Sequence, residues 1–269
     1  MNNLHRELAP ISDLAWAQIE EEAERTLKRY LAGRRVVDVK GPGGAMLSAV
    51  GTGHLSNLEA PGAGIIARQR EVQALVELRV PFQLDRQAID DVERGANDSD
   101  WQALKDAAKR IAFAEDRAIF EGYAAGGIEG IRQGTSNKVA SLPGDPAHYP
   151  DAVAEALSRL RLAGVNGPYS VLMGADAYTA LSEASDHGYP VIQHIQRLVN
   201  EDIIFAGAFA GAFVLTTRGG DFELHLGQDV SIGYVGHNDK SVSLYLQETL
   251  TFMLLTAEAA VALKPASRK

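Results

Sequence analysis

From Gly41 to about Gly64 the chain is rich in Gly, Ala, Ser and Thr, with strand-like stretches at Met46 to Val50 and Gln73 to Val80 on its flanks. A segment of this composition has too few large apolar side chains to bury a core. A structureless loop of that length is also uncommon inside a compact domain. The excursion therefore reads as a long, extended, hairpin-like arm that packs on something outside its own chain. This excludes a self-contained globule and asks for a partner.

The remainder is composed like a core-forming chain. Its 269 residues are 46% hydrophobic and 23% charged, ordinary globular usage at a length that buries a core. A net charge of −9 argues against nucleic-acid binding, which needs a basic face. There is no cysteine, so disulfides, thiolate metal sites and cysteine nucleophiles are excluded and a reducing compartment fits. The N-terminal MNNLHRELAP has no apolar core and carries Glu7, unlike a signal peptide. The longest apolar run, Ile203 to Leu215, is thirteen residues with two glycines, too short for a membrane span. The expectation is a soluble, cytoplasmic protein.

Periodicity places the elements. Apolar positions Trp16, Ile19, Ala23, Leu27, Tyr30 and Leu31 recur at three and four and predict a helix from Asp13 to Leu31, with Ser12 as N-cap and Gly33 as the residue that ends it. Short strands are expected at Val36–Val39 and Val76–Phe82, a short helix at Arg86–Arg94, and the strongest helix at Ser99 to about Gly122. A linker covers Gly134 to Pro150. Beyond it come helices at Asp151–Ala163, Ala175–Glu183 and Val191–Val199 and a strand at Tyr169–Met173. A series of strands follows at Phe213–Thr217, Phe222–Leu226, Val230–Val235, Val242–Gln247, Thr251–Leu255 and Ala259–Leu263. Helices and strands mix without a βαβ repeat, so the class is α+β.

Enzymatic chemistry finds little support in the residues. Gly62, Gly64 and Ala67 match a dinucleotide fingerprint, but Pro61 stands where that motif needs a strand. Glu115 and Asp116 sit in the strongest helix, where a carboxylate pair can do acid–base work. A buried helix carboxylate more often meets an arginine from a neighbouring element. None of the seven histidines falls in a metal-binding spacing, and no nucleophile elbow is present.

Ten stretches, in order and with matching spacing, carry a resemblance. They are LAP with Trp16 downstream, GRRVVDV (33–39) followed by GP, LVELRVPFQL (75–84), DDVERG (90–95), EDRAIFEG (115–122), GIEGI (127–131), GPYSVL (167–172), HGYP (187–190), RGGDFELHLGQDVSIGY (218–234) and LYLQETLTF (244–252). Over nearly its whole length the chain resembles the encapsulin nanocompartment shell proteins, the linocin-type bacteriocin family, and most of all the actinobacterial type that encloses a dye-decolorising peroxidase. The resemblance implies the fold of tailed-bacteriophage major capsid proteins. Residues 1–47 would form the N-terminal helix and the start of a peripheral domain, 48–75 the arm called the E-loop, and 76–133 more of the peripheral domain. Residues 134–218 would form an axial domain, and 219–269 strands returning to the peripheral domain. It implies a non-enzymatic shell subunit, about sixty copies closing an icosahedral cage around a cargo enzyme held by its C-terminal peptide. That cargo would be the peroxidase, with a ferritin-like protein as the other candidate. A phage capsid protein and an independent bacteriocin- or protease-like enzyme are the competing readings.

The resemblance also implies sites. Leu27, Leu31, Arg34 and Asp38 match the family's cargo-docking positions, and Ile232 completes the wall. Arg34 would donate to peptide carbonyls and Asp38 would accept from peptide N–H or hydroxyl groups. The competing reading makes Leu27 and Leu31 core and Arg34–Asp38 a local salt bridge. The loop His187-Gly188-Tyr189-Pro190 would line a five-fold channel, where a ring of His187 would gain charge in mild acid; otherwise it is a solvated turn. Some relatives stack flavin on a tryptophan where this chain has Gln87, which offers no aromatic face. No cofactor and no metal are expected.

Overall fold

The computed structural model describes residues 3–266. After a short 3₁₀ turn at Arg6–Leu8, the chain forms α1 (Asp13–Tyr30), a second 3₁₀ turn (Gly33–Arg35), β1 (Asp38–Lys40), β2 (Ala49–Leu58), β3 (Ala67–Ala74), β4 (Val76–Asp85), α2 (Arg86–Glu93) and α3 (Gln102–Phe120). Next come α4 (Ile131–Gly134), β5 (Ala140–Leu142), α5 (Tyr149–Leu162), β6 (Tyr169–Met173), α6 (Ala175–Glu183), β7 (Ser185–Asp186), β8 (Tyr189–Pro190) and α7 (Val191–Val199). The chain ends with β9 (Ile204–Phe205), β10 (Ala212–Thr216), β11 (Phe222–Leu226), β12 (Ser231–His237), β13 (Ser241–Leu254) and β14 (Ala260–Pro265).

Two five-stranded sheets organise these elements. In the first, β13 is the spine. β4 lies antiparallel along one edge, from Val76 opposite Leu250 to Asp85 opposite Ser241. On the other edge β12 pairs with the first half of β13 and β11 with the second, and β1 adds parallel to β11. Alternate side chains of a strand face opposite ways. Leu244, Leu246, Leu250 and Phe252 of β13 are accordingly buried; Leu244 and Leu246 pack with apolar residues of α1, α2 and α3, and Leu250 and Phe252 with the end of α3 and the second sheet. On the opposite face polar Arg79 reaches Gln247. The second sheet runs β5-β14-β10-β6-β9, with α5, α6 and α7 packed against it. Phe120 at the end of α3 meets Phe209 and Phe213 at ring separations of 4.9 and 5.0 Å. That cluster, with residues of both sheets, takes Ile204, Ala206, Phe209, Phe213 and Leu215 from the apolar run, while Ile203, Ala212 and Val214 pack against α5 and α7 on the other side.

The arm stands apart. β2 and β3 pair only with each other, and the hydrogen bond from the Leu75 N–H to the Ser48 carbonyl closes the base. Leu55, Leu58, Ile65, Ile66 and Val72 are all exposed, Ile66 by 80%. The composition argument thus holds: the hairpin has no core of its own.

Several expectations are corrected. The strands read as Val242–Gln247 and Thr251–Leu255 are one continuous strand. Glu248 and Thr249 interrupt the apolar pattern, but β4 pairs straight past them. The Gly134–Pro150 linker contains β5, which pairs parallel with β14. The last strand pairs apart from β11, β12 and β13: β14 lies antiparallel to β10 in the second sheet. Gly33 does not end α1. The helix stops at Tyr30, the Leu31 N–H bonds to the Leu27 carbonyl, and Gly33 opens the next turn. Its missing side chain lets α3 approach, since a Cβ there would sit 2.5 Å from Ile119 Cδ1.

Candidate functional site

Ser12 caps α1 by accepting the Ala15 N–H, and the helix buries Ala15, Trp16, Ile19 and Ala23. Leu27 and Leu31 fall beside this stripe and stay half-buried. They form one wall of a groove of about 660 Å³ between α1 and β12, whose other wall includes Ile232 and Leu246. At one end Arg6 pairs with Glu20 at 2.5 Å and lies 4.2 Å over the Trp16 ring. At the other end stand Arg34, Arg35 and Asp229.

Arg34 is the polar centre of that end. Its Nε donates to Glu115 at 2.9 Å, Nη2 to Glu115 at 2.6 Å and to Glu248 at 3.5 Å, and Nη1 to Asp229 at 2.9 Å. Glu115 and Glu248 are fully buried. Burial works against the Arg34 charge, yet the hydrogen bonds and fields of Glu115 and Asp229 hold its pKa above the ordinary value. Asp116, the neighbouring acid, turns elsewhere and accepts the backbone N–H groups of Gly33 at 2.8 Å and Ala32 at 3.1 Å. Burial pushes its carboxyl up to about 7, against the pull of the Gly33 N–H, with Glu115 adding to the rise. Burial raises Glu248 well above the usual carboxylate range, and Glu115 reinforces it.

Four of the five expected docking residues therefore share one groove: Leu27, Leu31, Arg34 and Ile232. Asp38 does not join them. It lies on β1, in a separate depression of about 100 Å³, where it accepts the Gly220 N–H at 2.6 Å. Arg34 lies in the 3₁₀ turn and pairs with Glu115, Asp229 and Glu248, while β1 carries Asp38 away, so the alternative of an Arg34–Asp38 salt bridge fails too. Arg34 is not a free fork for peptide carbonyls, because Glu115 takes most of it. The expectation that a buried helix carboxylate meets an arginine holds for Glu115. Sequence reading missed Glu248 and Asp229. The signal for Glu248 was present: it shares its strand face with Leu246 and Leu250, and a carboxylate at a core-facing position needs a partner.

The loop 187–190 lies on the second sheet's side of the molecule. His187 and Gly188 both have positive φ, 48° and 82°, forming the two-residue turn that joins β7 to β8 as a hairpin. His187 projects fully exposed, with Nδ1 2.6 Å from Asp186. Tyr189 folds back, its ring 4.9 Å from His194 and beneath Arg197. Gln87 is exposed on the first turn of α2. Among the described residues no group of three or more His, Asp or Glu side chains could hold a metal ion, and no helix is long and apolar enough to cross a membrane.

The same architecture occurs in known proteins. Residues 1–251 match the family model described as "Encapsulating protein for peroxidase". The type 1 encapsulin shell protein of Mycolicibacterium paratuberculosis is 62% identical over 98% of this chain and 99% of its own length. That of Brevibacterium linens is 56% identical over 98% and 99%. The virus-like particle of Pyrococcus furiosus superposes with a TM-score of 0.62 at 13% identity, covering 93% of this chain and 99% of its own. The capsid of Myoviridae phage XM1 does so with 0.53 at 12% identity, covering 87% and 92%. With the family model and these relatives spanning both sheets, the arm and the groove, and with the fold shared by capsids, the chain belongs to the type 1 encapsulin shell-protein family.

Proposed function

We propose that about sixty copies of this chain close an icosahedral cage in the cytoplasm around a dye-decolorising peroxidase, whose C-terminal tail lies in the groove between α1 and β12. The observation that carries this reading is the groove itself: Leu27, Leu31 and Ile232 line an apolar strip that no segment of the described chain fills. The wall from Glu20 on α1 to Leu31 at its C-cap is about 17 Å long, enough for about five residues of extended peptide. An unstructured tail suits such a strip, with alternate side chains turned toward it. In the same cage the hairpin of β2 and β3 packs on a neighbouring copy, and the loop 187–190 surrounds the five-fold channel.

Leu31→Asp tests the dock. The charge placed on the apolar strip costs a few kcal/mol of tail binding while leaving the half-buried helix position able to fold. Shells of this variant should assemble normally and co-purify with little peroxidase. Assembled variant shells that carry as much peroxidase as the wild type would refute the groove as the dock.

A further inference from the structure

One guanidinium serves three carboxylates in this structure. Arg34 holds Glu115 bidentately, reaches Asp229 through Nη1, and stands 3.5 Å from Glu248. Glu248 is fully buried, and its Oε1 has no hydrogen-bond partner among the described residues. Asp229 is the member that belongs to the groove. Its side chain is 47% exposed, and the oxygen that takes the Arg34 Nη1–H also accepts the Val230 N–H at 2.7 Å. That pair pins the link between β11 and β12 at Asp229, three residues before Ile232. Arg34 thus joins a buried acid to the wall of the groove.

Resting on the docking reading above, we propose that Glu248 is a positioning residue of the groove: uncharged, it leaves Arg34 to grip Asp229 and fix the wall, and charged, it draws Arg34 inward and releases that wall. As a neutral acid Glu248 donates its proton toward Glu115, and the two buried groups do not repel. Once that proton leaves, two buried carboxylates face each other, and Arg34 is the cation at hand to compensate them. Shortening its contact to Glu248 turns Nη1 away from Asp229. The other charged groups around Glu248 do not offer relief. Glu115 and Asp116 on α3 are acids, Asp229 is the group being released, and on β4 the residue opposite Glu248 is Leu78. Arg79 points to the other sheet face, where Gln247 and Glu77 occupy it. Burial and Glu115 both favour the neutral form of Glu248, so the wall is fixed at lower pH and loosens as pH rises.

The test measures binding of a rhodamine-labelled synthetic peptide, copied from the C-terminal segment of the peroxidase, to intact shells from about pH 6 to about pH 9. Wild-type affinity should fall by about fivefold or more as pH rises. Glu248→Gln, isosteric with the neutral acid, should keep the low-pH affinity throughout. Asp229→Ala should bind weakly at every pH. Hydrogen exchange supplies a readout that needs no variant: protection of the Val230 and Ser231 amides of wild-type shells, measured relative to their intrinsic exchange rates, should fall as pH rises. A peptide that binds with the same pH profile to wild type and Glu248→Gln, or amides whose protection does not change, overturns the positioning role while leaving the dock standing. A peptide that fails to bind wild type at any pH overturns the dock and the positioning role with it.

Discussion

Asp116 should make this fold less stable at pH 8 than at pH 5, the reverse of what a salt-bridged carboxylate does. Its carboxyl titrates at about 7 in the folded chain because burial outweighs the two backbone N–H donors and Arg34. In an unfolded chain an aspartate titrates near about 4. A folded value above the unfolded one means the folded state holds the proton more tightly. The stabilisation is therefore complete below about pH 4 and is lost as pH rises through about 7. At about 1.4 kcal/mol for each tenfold, the linkage amounts to about 4 kcal/mol at most. Glu248 is raised too and steepens the slope. Asp116→Asn separates the contributions. The amide keeps one acceptor for the N–H groups of Ala32 and Gly33, which costs about 1–3 kcal/mol at every pH, and it cannot ionise. Thermal unfolding of wild-type and variant shells across this range, compared as the difference between them, cancels what assembly contributes to both. The difference should shrink or change sign toward pH 8. If both lose stability in parallel, Asp116 is ionised throughout, and the two N–H donors rather than burial set its charge.

Two further outcomes concern assembly and access. Ile65→Ser with Ile66→Ser, at the exposed tip of the hairpin, should leave the chain folded but impair its assembly; light scattering should find a megadalton particle for wild type and a shift toward the 28.9 kDa chain for the variant, and an unchanged particle would refute the role of the tip. Enlarging the turn at His187 and Gly188 should change the rate at which small substrates reach an enclosed peroxidase, and equal rates would argue against a channel at this loop.

Much of the architecture could be read in advance because local and global preferences agree along these segments. α6, α7, β6 and β11 run between the residues assigned to them: α6, α7 and β11 each place apolar positions on one buried face, and β6 is a short run buried on both. The arm was legible for the opposite reason: its composition cannot bury anything, and the exposed Ile66 and Leu58 show what that means in space. Illegibility began where a contact spans the chain. Nothing near Gly33 announces that Ile119 will lie against it, so a glycine shortly after a helix reads as a terminator. Nothing near Ala259 to Leu263 says which of two sheets will take it, because both accept a short apolar strand.

The groove between α1 and β12 shows the same division at the level of single side chains. Leu27, Leu31 and Ile232 were named from the family resemblance, and the structure brings these three apolar side chains to one groove. The polar residues depended on partners that sequence spacing does not reveal. Arg34 is 81, 195 and 214 residues from Glu115, Asp229 and Glu248, and its donors are already committed to them. An arginine so held gains rigidity and loses freedom to pair with a ligand. It can still shape the groove through what it holds in place. Asp38, expected to help, is likewise occupied with the Gly220 N–H. On the proposed docking role, selectivity for a tail rests on the apolar strip and on the wall that Asp229 anchors, which is why a change at Glu248, beneath the surface and out of reach of any peptide, should alter what the groove binds.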